Sequence, residues 1–121
     1  MRVLRGKVMV TIEVLKEFGA NVDEGLERCM GDEDFYLDLI PSALDVSYYK
    51  SVENAIKTKD FRAAFDAAHA LKGLLSNLAL YPIFQPVEDM TESLRAWEDI
   101  DYSEYLDRMW EQRNKLLDMM G

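Results

Sequence analysis

The sequence predicts an all-α protein, an up-and-down four-helix bundle with additional short N-terminal helices. Two observations lead to this prediction. Apolar residues recur at three- and four-residue intervals along most of the chain, and no stretch alternates over several residues as a half-buried strand does. Amphipathic helices joined by short connections bury their apolar stripes by packing side by side, which favours a bundle.

The first part of the chain contains two short helical segments with recognisable ends. A segment over residues 10–18 stops at Gly19, a residue type that commonly ends helices. Asn21 or Asp23 can cap a second helix over residues 24–30, because both side chains accept hydrogen bonds from free backbone N–H groups. We therefore predict two short helices before the main bundle.

A third and a fourth helix follow. Asp32 caps the third, whose apolar stripe contains Phe35, Tyr36, Leu39 and Ile40. Pro41 falls within this pattern and predicts a kink or a break near Ile40, with Ser42 restarting the next turn. The fourth helix covers residues 47–58, and its stripe contains Tyr48, Val52, Ala55 and Ile56.

The second half of the chain predicts three longer helices. Asp60 caps the first of them, whose core face contains Phe61, Ala64, Phe65, Ala68, Leu71, Leu75 and Leu78. Tyr81-Pro82 opens the next helix, which continues to about Trp97, because proline suits a first turn. Ser103 caps the last helix. We expect Trp97 and Trp110 to pack in the core or at its edge.

Composition and charge restrict the class of function. The chain has 121 residues, which fits one domain, and a net charge of -9. That charge argues against nucleic acid and anionic membranes as partners, because both attract a basic face. The single cysteine, Cys29, forms no internal disulfide and is expected to be buried. No Cys/His cluster has metal-site spacing, so we expect neither a metal nor a cofactor.

The N-terminus is basic but lacks the features of a targeting segment. Neither a long apolar region nor a cleavage site follows Met1, and no apolar run approaches the roughly 20 residues that a membrane span needs. We therefore expect a cytoplasmic protein. Met9 is an alternative start, so we predict a loose extension over residues 1–8 and a single domain over residues 9–121.

The only histidine of the chain carries the strongest functional signal. It lies in the segment Ala67-Ala68-His69-Ala70-Leu71-Lys72-Gly73. On a helix, Lys72 and Gly73 lie one turn after His69, and His69 itself lies at the shoulder of the core face. A nucleophilic imidazole, a neighbouring cation and a position without a side chain suit the approach of a phosphoryl group carried by another protein.

The same residues have an ordinary structural interpretation. A lone histidine on a helix is usually a surface or boundary residue without a role, and Lys72 could be a solvated lysine. A mid-helix glycine destabilises a helix by about 1 kcal/mol relative to alanine. Close packing of a neighbouring helix against Gly73 could offset this cost. Helix geometry alone favours this ordinary interpretation, and the order of residues in the motif favours the functional one.

The segment from Ala68 to Leu80, which reads Ala-His-Ala-Leu-Lys-Gly-Leu-Leu-Ser-Asn-Leu-Ala-Leu, resembles the signature of histidine-containing phosphotransfer domains. That pattern is roughly Ala-His-x-Leu-Lys-Gly, small residues, then Asn-Leu-Gly. The resemblance extends over about residues 11–97, through segments 22–37, 59–61 and 87–95. The chain departs from the pattern at Ala79, where the family often has glycine, and at Leu74 and Leu75, which are bulkier than the usual small residues.

The resemblance implies a role for each matching residue. His69 is the expected site of phosphorylation, accepting the phosphoryl group from a receiver-domain aspartate and passing it to another receiver. Lys72 is expected to stabilise the phosphohistidine and Gly73 to give the receiver access. The candidate docking residues are Asp66, Leu74, Ser76 and Asn77; a solvated helix face is the favoured explanation of Asp66, and a helix end explains Asn77 equally well.

The resemblance also implies a carrier and not an enzyme. The chain has no Gly-rich nucleotide loop and no room for an ATP-binding domain, so its phosphoryl group has to come from a receiver, a histidine kinase or a hybrid kinase. An alternative is a helical adaptor that binds and regulates a receiver or kinase, with His69 never phosphorylated. A fragment of a larger kinase is a third possibility.

Overall fold

The computed structural model describes residues 2–4 and 8–121, which are helical almost throughout from Ile12 onward. The helices of this part are α1 (Ile12–Phe18), α2 (Val22–Arg28), α3 (Glu33–Ala43), α4 (Val46–Lys57), α5 (Phe61–Asn77), α6 (Tyr81–Arg95) and α7 (Ser103–Met120). Helix α5 packs against both α4 and α6, while α7 packs against α6 and also contacts α4 and α1. The predicted all-α class is confirmed. None of the described helices is long and apolar enough to cross a bilayer.

Two three-residue strands precede the helices. Strands β1 (Arg2–Leu4) and β2 (Val8–Val10) pair in an antiparallel ladder, which contacts α3 and α7. The sequence does not predict this ladder, because three residues are too few to display an alternating pattern. Residues 1 and 5–7 of the predicted loose extension lie outside the described residues, so the boundary between residues 8 and 9 stays a prediction.

Side-chain caps begin most of the described helices, and three of these caps were predicted from local sequence. Asn21, Asp32 and Asp60 each accept a hydrogen bond from the backbone N–H three residues later, at 3.1–3.2 Å. Asn21, and not Asp23, therefore caps α2. The predicted cap at Ser103 is wrong: Ser103 is the first residue of α7, and its backbone N–H donates to Asp101 Oδ1 at 2.9 Å.

Of the kink or break predicted near Ile40, the break is wrong, and the kink stays a prediction. Helix α3 continues through Pro41 to Ala43, and Ser42 Oγ donates to the Leu39 carbonyl at 2.7 Å instead of starting a new turn. Pro41 lies in the last turn, where its missing N–H removes only one backbone bond. Tyr81-Pro82 opens α6 as predicted, and Pro86 lies inside that helix.

Tertiary packing reverses two predictions about aromatic residues. In α4, Tyr49 and not Tyr48 is buried, since its ring packs against Trp110 of α7 and its hydroxyl donates to the Ala43 carbonyl at 2.7 Å. Trp97 follows the last turn of α6 with a left-handed φ of 58° and is 60% exposed, so it does not pack in the core. Cys29 is buried, as predicted.

The C-terminal end of α5 is held by the helices at the start of the chain. The backbone N–H groups of Ala79 and Leu80 turn back to the carbonyls of Ser76 and Leu75, while Ala79 takes a left-handed φ of 54°. This is the conformation that favours glycine, which accounts for the glycine that the resembling family often has at this position.

Three hydrogen bonds from residues 21–36 complete this helix end. The Asn21 N–H donates to the Ala79 carbonyl at 3.1 Å, the Arg28 guanidinium to the Ser76 carbonyl, and the Tyr36 hydroxyl to the Leu78 carbonyl at 2.9 Å. Carbonyls at a helix C-terminus lack partners within the helix. The N-terminal helices therefore supply the partners that fix the end of the helix carrying His69.

Burial of Tyr36 predicts a loss of stability in alkali. Burial raises the pKa of Tyr36 to about 12, whereas the unfolded chain ionises near the ordinary value of 10.0. Above pH 10.0 the unfolded state binds fewer protons than the folded state. The free energy of unfolding therefore falls as pH rises through about 12. We expect urea unfolding to show this decline, and we expect a shallower decline for Tyr36→Phe. Parallel pH profiles for the two proteins would contradict this account.

Candidate functional site: the His69 face of α5

His69 lies at the surface in the middle of α5. Its side chain is exposed, whereas Ala68 and Leu71 on the opposite side are fully buried. This placement matches the prediction of a shoulder position outside the core. A surface imidazole on a helix anchored at both ends is accessible to another macromolecule and is presented by a rigid element.

The imidazole is stacked on Phe65, one turn earlier on the same helix. The two ring centroids are 5.7 Å apart and the planes are inclined by 14°. Within the part of the chain that the structure describes, no hydrogen bond or ion pair involves the imidazole of His69. Because the lone pair of the unprotonated ring nitrogen lies in the ring plane, a stack on the ring face does not cover it, and it can attack an electrophile.

Gly73 leaves open space beside His69. A Cβ built on Gly73 would meet no atom within 4 Å apart from its immediate helical surroundings, so no neighbouring helix packs there. This removes the interpretation in which Gly73 permits close helix packing. Side chains in a helix lean toward its N-terminus and cover the preceding turn. A side chain at position 73 would therefore extend over the turn that contains His69.

Lys72 provides a positive charge next to the imidazole. Its side chain is half-buried, and among the described residues no carboxylate lies within ion-pair distance of its ammonium group. Side chains in a helix lean toward its N-terminus, so Lys72 is directed toward the turn that contains His69. Opposite charges about 4 Å apart attract each other by about 1 kcal/mol in water and about 4 kcal/mol near a protein surface. Lys72 can therefore stabilise a phosphoryl group on His69.

The structure separates the four candidate docking residues. Asp66 is exposed on the same side of α5 as His69, and Asn77 is exposed at the end of the helix. Ser76 is half-buried, and its carbonyl accepts the hydrogen bond from Arg28. Leu74 is half-buried on the other flank, where it lines a shallow hollow with residues of α3 and the end of α5: Leu39, Ser42, Ala43, Asn77 and Leu78. Asp66 thus shares a surface with His69, Leu74 does not, and Asn77 lies between that surface and the hollow.

Small exposed residues make the surface around His69 flat. Ala70 and Gly73 are exposed on this side of α5, together with the polar side chains of Arg62 and Asp66. Phe65 is the bulky apolar side chain of α5 nearest to His69, and it is half-buried with its ring stacked on the imidazole. A partner can therefore bring its backbone close to the imidazole without first displacing a large side chain.

Two residues near the site were missed by the sequence analysis as functional candidates. Phe65 was assigned to the core face, but it is half-buried and stacks on His69. Its four-residue spacing from His69 was a signal for this contact. Arg95 of α6 lies over the Phe65 ring, 5.2 Å from the centroid. No local pattern connects Arg95 with residue 65, because only the packing of α6 on α5 brings them together.

The described residues contain no group of three or more His, Cys, Asp or Glu side chains arranged to hold a metal ion. Comparison of the chain with family models, with curated proteins and with solved structures finds no match. The functional interpretation therefore rests on the motif around His69 and on the geometry of the α5 surface.

Proposed function

We propose that this protein is a histidine phosphotransfer protein of a two-component phosphorelay, with His69 as the phosphoryl carrier. The observation that carries the proposal is the exposed imidazole beside Lys72 and the open position at Gly73. Among the described residues, neither the ring nitrogens of His69 nor the ammonium group of Lys72 has a hydrogen-bonding or ion-pair partner. The motif that resembles the family signature places the same three residues in the same roles.

We also propose that α4–α7 form the up-and-down four-helix bundle of such a domain, with α1–α3 as the additional N-terminal helices. Support comes from the packing of α5 on α4 and α6, of α6 on α7, and of α7 on α4. Short connections between successive helices favour antiparallel neighbours. In this arrangement α5 has one long side free for a partner.

In the proposed reaction, an unprotonated ring nitrogen of His69 attacks the phosphorus of an aspartyl phosphate in a receiver domain. A nitrogen–phosphorus bond forms, the bond between phosphorus and the aspartate oxygen breaks, and the carboxylate is released. The other ring nitrogen keeps its proton. The reverse step, with a second receiver, returns the phosphoryl group to an aspartate. Lys72 stabilises the transferring charge, and orientation of the two groups contributes most of the remaining acceleration.

This role makes the protein a carrier and not an enzyme, because the receiver supplies the acidic site and the metal ion for transfer. Its proposed partners are receiver domains and a histidine kinase or hybrid kinase, in the cytoplasm. The net charge of -9 is consistent with protein partners and disfavours nucleic acid.

Phosphoryl transfer from a panel of phosphorylated receiver domains tests the proposal. We expect the wild-type chain to acquire acid-labile, base-stable label and His69→Gln to acquire none, since glutamine keeps a similar size and polarity without the nucleophile. His69 is exposed, so we expect the two proteins to have similar circular dichroism and thermal unfolding. These controls separate loss of chemistry from loss of fold.

A wild-type chain that binds a receiver but takes no label from any of them would contradict the proposal. Regulation by binding alone would then be the better explanation, and it predicts that His69→Gln regulates the partner as well as wild type does. Label that persists on His69→Gln would place the phosphoryl group on another residue and would also contradict the proposed role of His69.

A further inference from the structure

Phe65 connects the core of the protein to its candidate nucleophile. It is half-buried and packs against the hydrophobic core, while its ring stacks on the imidazole of His69. Residues four apart are neighbours on a helix, and the side chain of the later residue leans toward the earlier one. The His69 ring therefore rests on a side chain that is itself anchored.

This stack is the only ring, ionic or hydrogen-bonding contact that the described residues make with the imidazole. An exposed side chain without such a contact samples several rotamers, and selecting one of them costs up to about 1 kcal/mol. In many proteins a hydrogen bond to the second ring nitrogen orients a functional histidine. In the part of the chain that the structure describes, the imidazole has the stacked ring of Phe65 in place of such a hydrogen bond.

Arg95 covers the Phe65 ring from the neighbouring helix. Its guanidinium carbon lies 5.2 Å from the ring centroid, and its Nε lies 3.4 Å from Glu92 Oε2. Cation–π contacts at exposed sites contribute about 0.5–1 kcal/mol. Phe65 is thus held by the core and by α6, which limits its motion relative to His69.

We propose that Phe65 is a positioning residue for His69, a proposal that rests on the proposed phosphotransfer function. The stack restricts rotation of the imidazole but covers only a ring face, so the in-plane lone pair stays directed toward an incoming phosphoryl group. Restricting the nucleophile to a reactive orientation before the partner arrives lowers the entropic cost of reaching the transition state.

Two substitutions and two measurements test this role. Phe65→Leu keeps an apolar side chain but removes the aromatic face, and Phe65→Tyr keeps the face. Because the chain has one histidine, the two carbon-bound ring protons of His69 can be assigned without ambiguity in proton NMR. Stopped-flow transfer from a phosphorylated receiver, measured over a range of receiver concentrations, separates the rate at saturation from the apparent affinity.

We expect the ring protons of His69 to be displaced by the ring current of Phe65 in wild type and in Phe65→Tyr, and to move to ordinary values in Phe65→Leu. We expect the transfer rate at saturation to fall by up to about fivefold in Phe65→Leu, the equivalent of freezing one side chain, with unchanged apparent affinity. Phe65→Tyr should transfer within about twofold of wild type.

Two results would overturn the positioning role while leaving the proposed function intact. One is wild-type transfer by Phe65→Leu, and the other is weaker apparent affinity at an unchanged saturating rate, which would place Phe65 in the docking surface. A wild-type chain that accepts no phosphoryl group would overturn the proposed function, and the positioning role with it, even if the ring-current displacement is present.

Discussion

Gly73→Gln is expected to fold at least as stably as the wild-type chain and yet to lose about a hundredfold in phosphoryl transfer from a receiver. The two effects have separate causes. Glutamine is a better helix former than glycine by several tenths of a kcal/mol, and the open space at position 73 means that no neighbour has to move. The new side chain leans back over His69 and holds the receiver away from the imidazole.

A small phosphoryl donor separates steric access from chemistry. Phosphoramidate transfers its phosphoryl group to imidazole with release of ammonia and needs no protein docking. We expect it to label Gly73→Gln and wild type at similar rates and to leave His69→Gln unlabelled. Ala63→Gln is the matched control, because it places the same side chain on an exposed position of α5 almost three turns earlier.

Gly73→Ala gives an intermediate test. A methyl group is small, so we expect a milder loss of transfer, together with a gain in stability of up to about 1 kcal/mol. If Gly73→Gln transfers from every receiver at the wild-type rate, Gly73 has no role in access. If it fails with phosphoramidate as well, the loss lies in the chemistry of His69 and not in docking.

Gly25→Ala, the same substitution in another helix, is expected to lower the free energy of unfolding by roughly 2–3 kcal/mol. A Cβ on Gly25 would lie 2.6 Å from Tyr36 Cε1, 2.7 Å from Cζ and 2.8 Å from Oη. The Tyr36 ring is fully buried, so it can move only by disturbing the core and the hydrogen bond to Leu78. These costs outweigh the gain of about 1 kcal/mol in helix propensity.

Thermal unfolding measures this effect directly. We expect the midpoint to fall by roughly 10 °C for Gly25→Ala and to rise slightly for Gly73→Ala. The pair is informative because both glycines lie inside helices and the substitution is identical. Helix propensity alone would therefore raise the unfolding midpoint in both variants. A double mutant with Tyr36→Leu should recover part of the loss, because removing the aromatic ring removes the clash.

If Gly25→Ala unfolds at the same temperature as the wild-type chain, the contact between α2 and α3 is looser than the structure indicates. That contact matters for the site, because Tyr36 holds the Leu78 carbonyl at the end of α5. In the expected case, transfer by the folded fraction of Gly25→Ala should fall only modestly, since His69 lies more than two turns before Leu78.

Local sequence was sufficient for the helical class, for most helix starts and for the exposure of His69. Asn21, Asp32 and Asp60 cap their helices because each accepts a hydrogen bond from a backbone N–H three residues away, an interaction that a short peptide segment contains in full. The face on which His69 lies follows from the 3.6-residue period, since strongly apolar residues of α5 define its buried side.

For Gly73 the sequence left two alternatives, which the packing of the helices resolved. For α4 it predicted the wrong buried tyrosine. The period allowed either close helix packing or open access at Gly73, and only the empty space around it excludes packing. It likewise assigned Tyr48 to the core, whereas the position of α7 buries Tyr49. A helical period identifies the apolar side of a helix but does not say which neighbour covers it.

The sequence by itself thus determined an acidic, helical protein with an exposed histidine in a phosphotransfer-like motif. Tertiary structure decided the contacts that fix the end of its helix and the ring stacked on it: Tyr36 on the Leu78 carbonyl, 42 residues away, and Arg95 on Phe65, 30 residues away. Such contacts depend on how whole helices pack, and each one is compatible with many local sequences. Their identity therefore becomes fixed only when the helices are assembled around a common core.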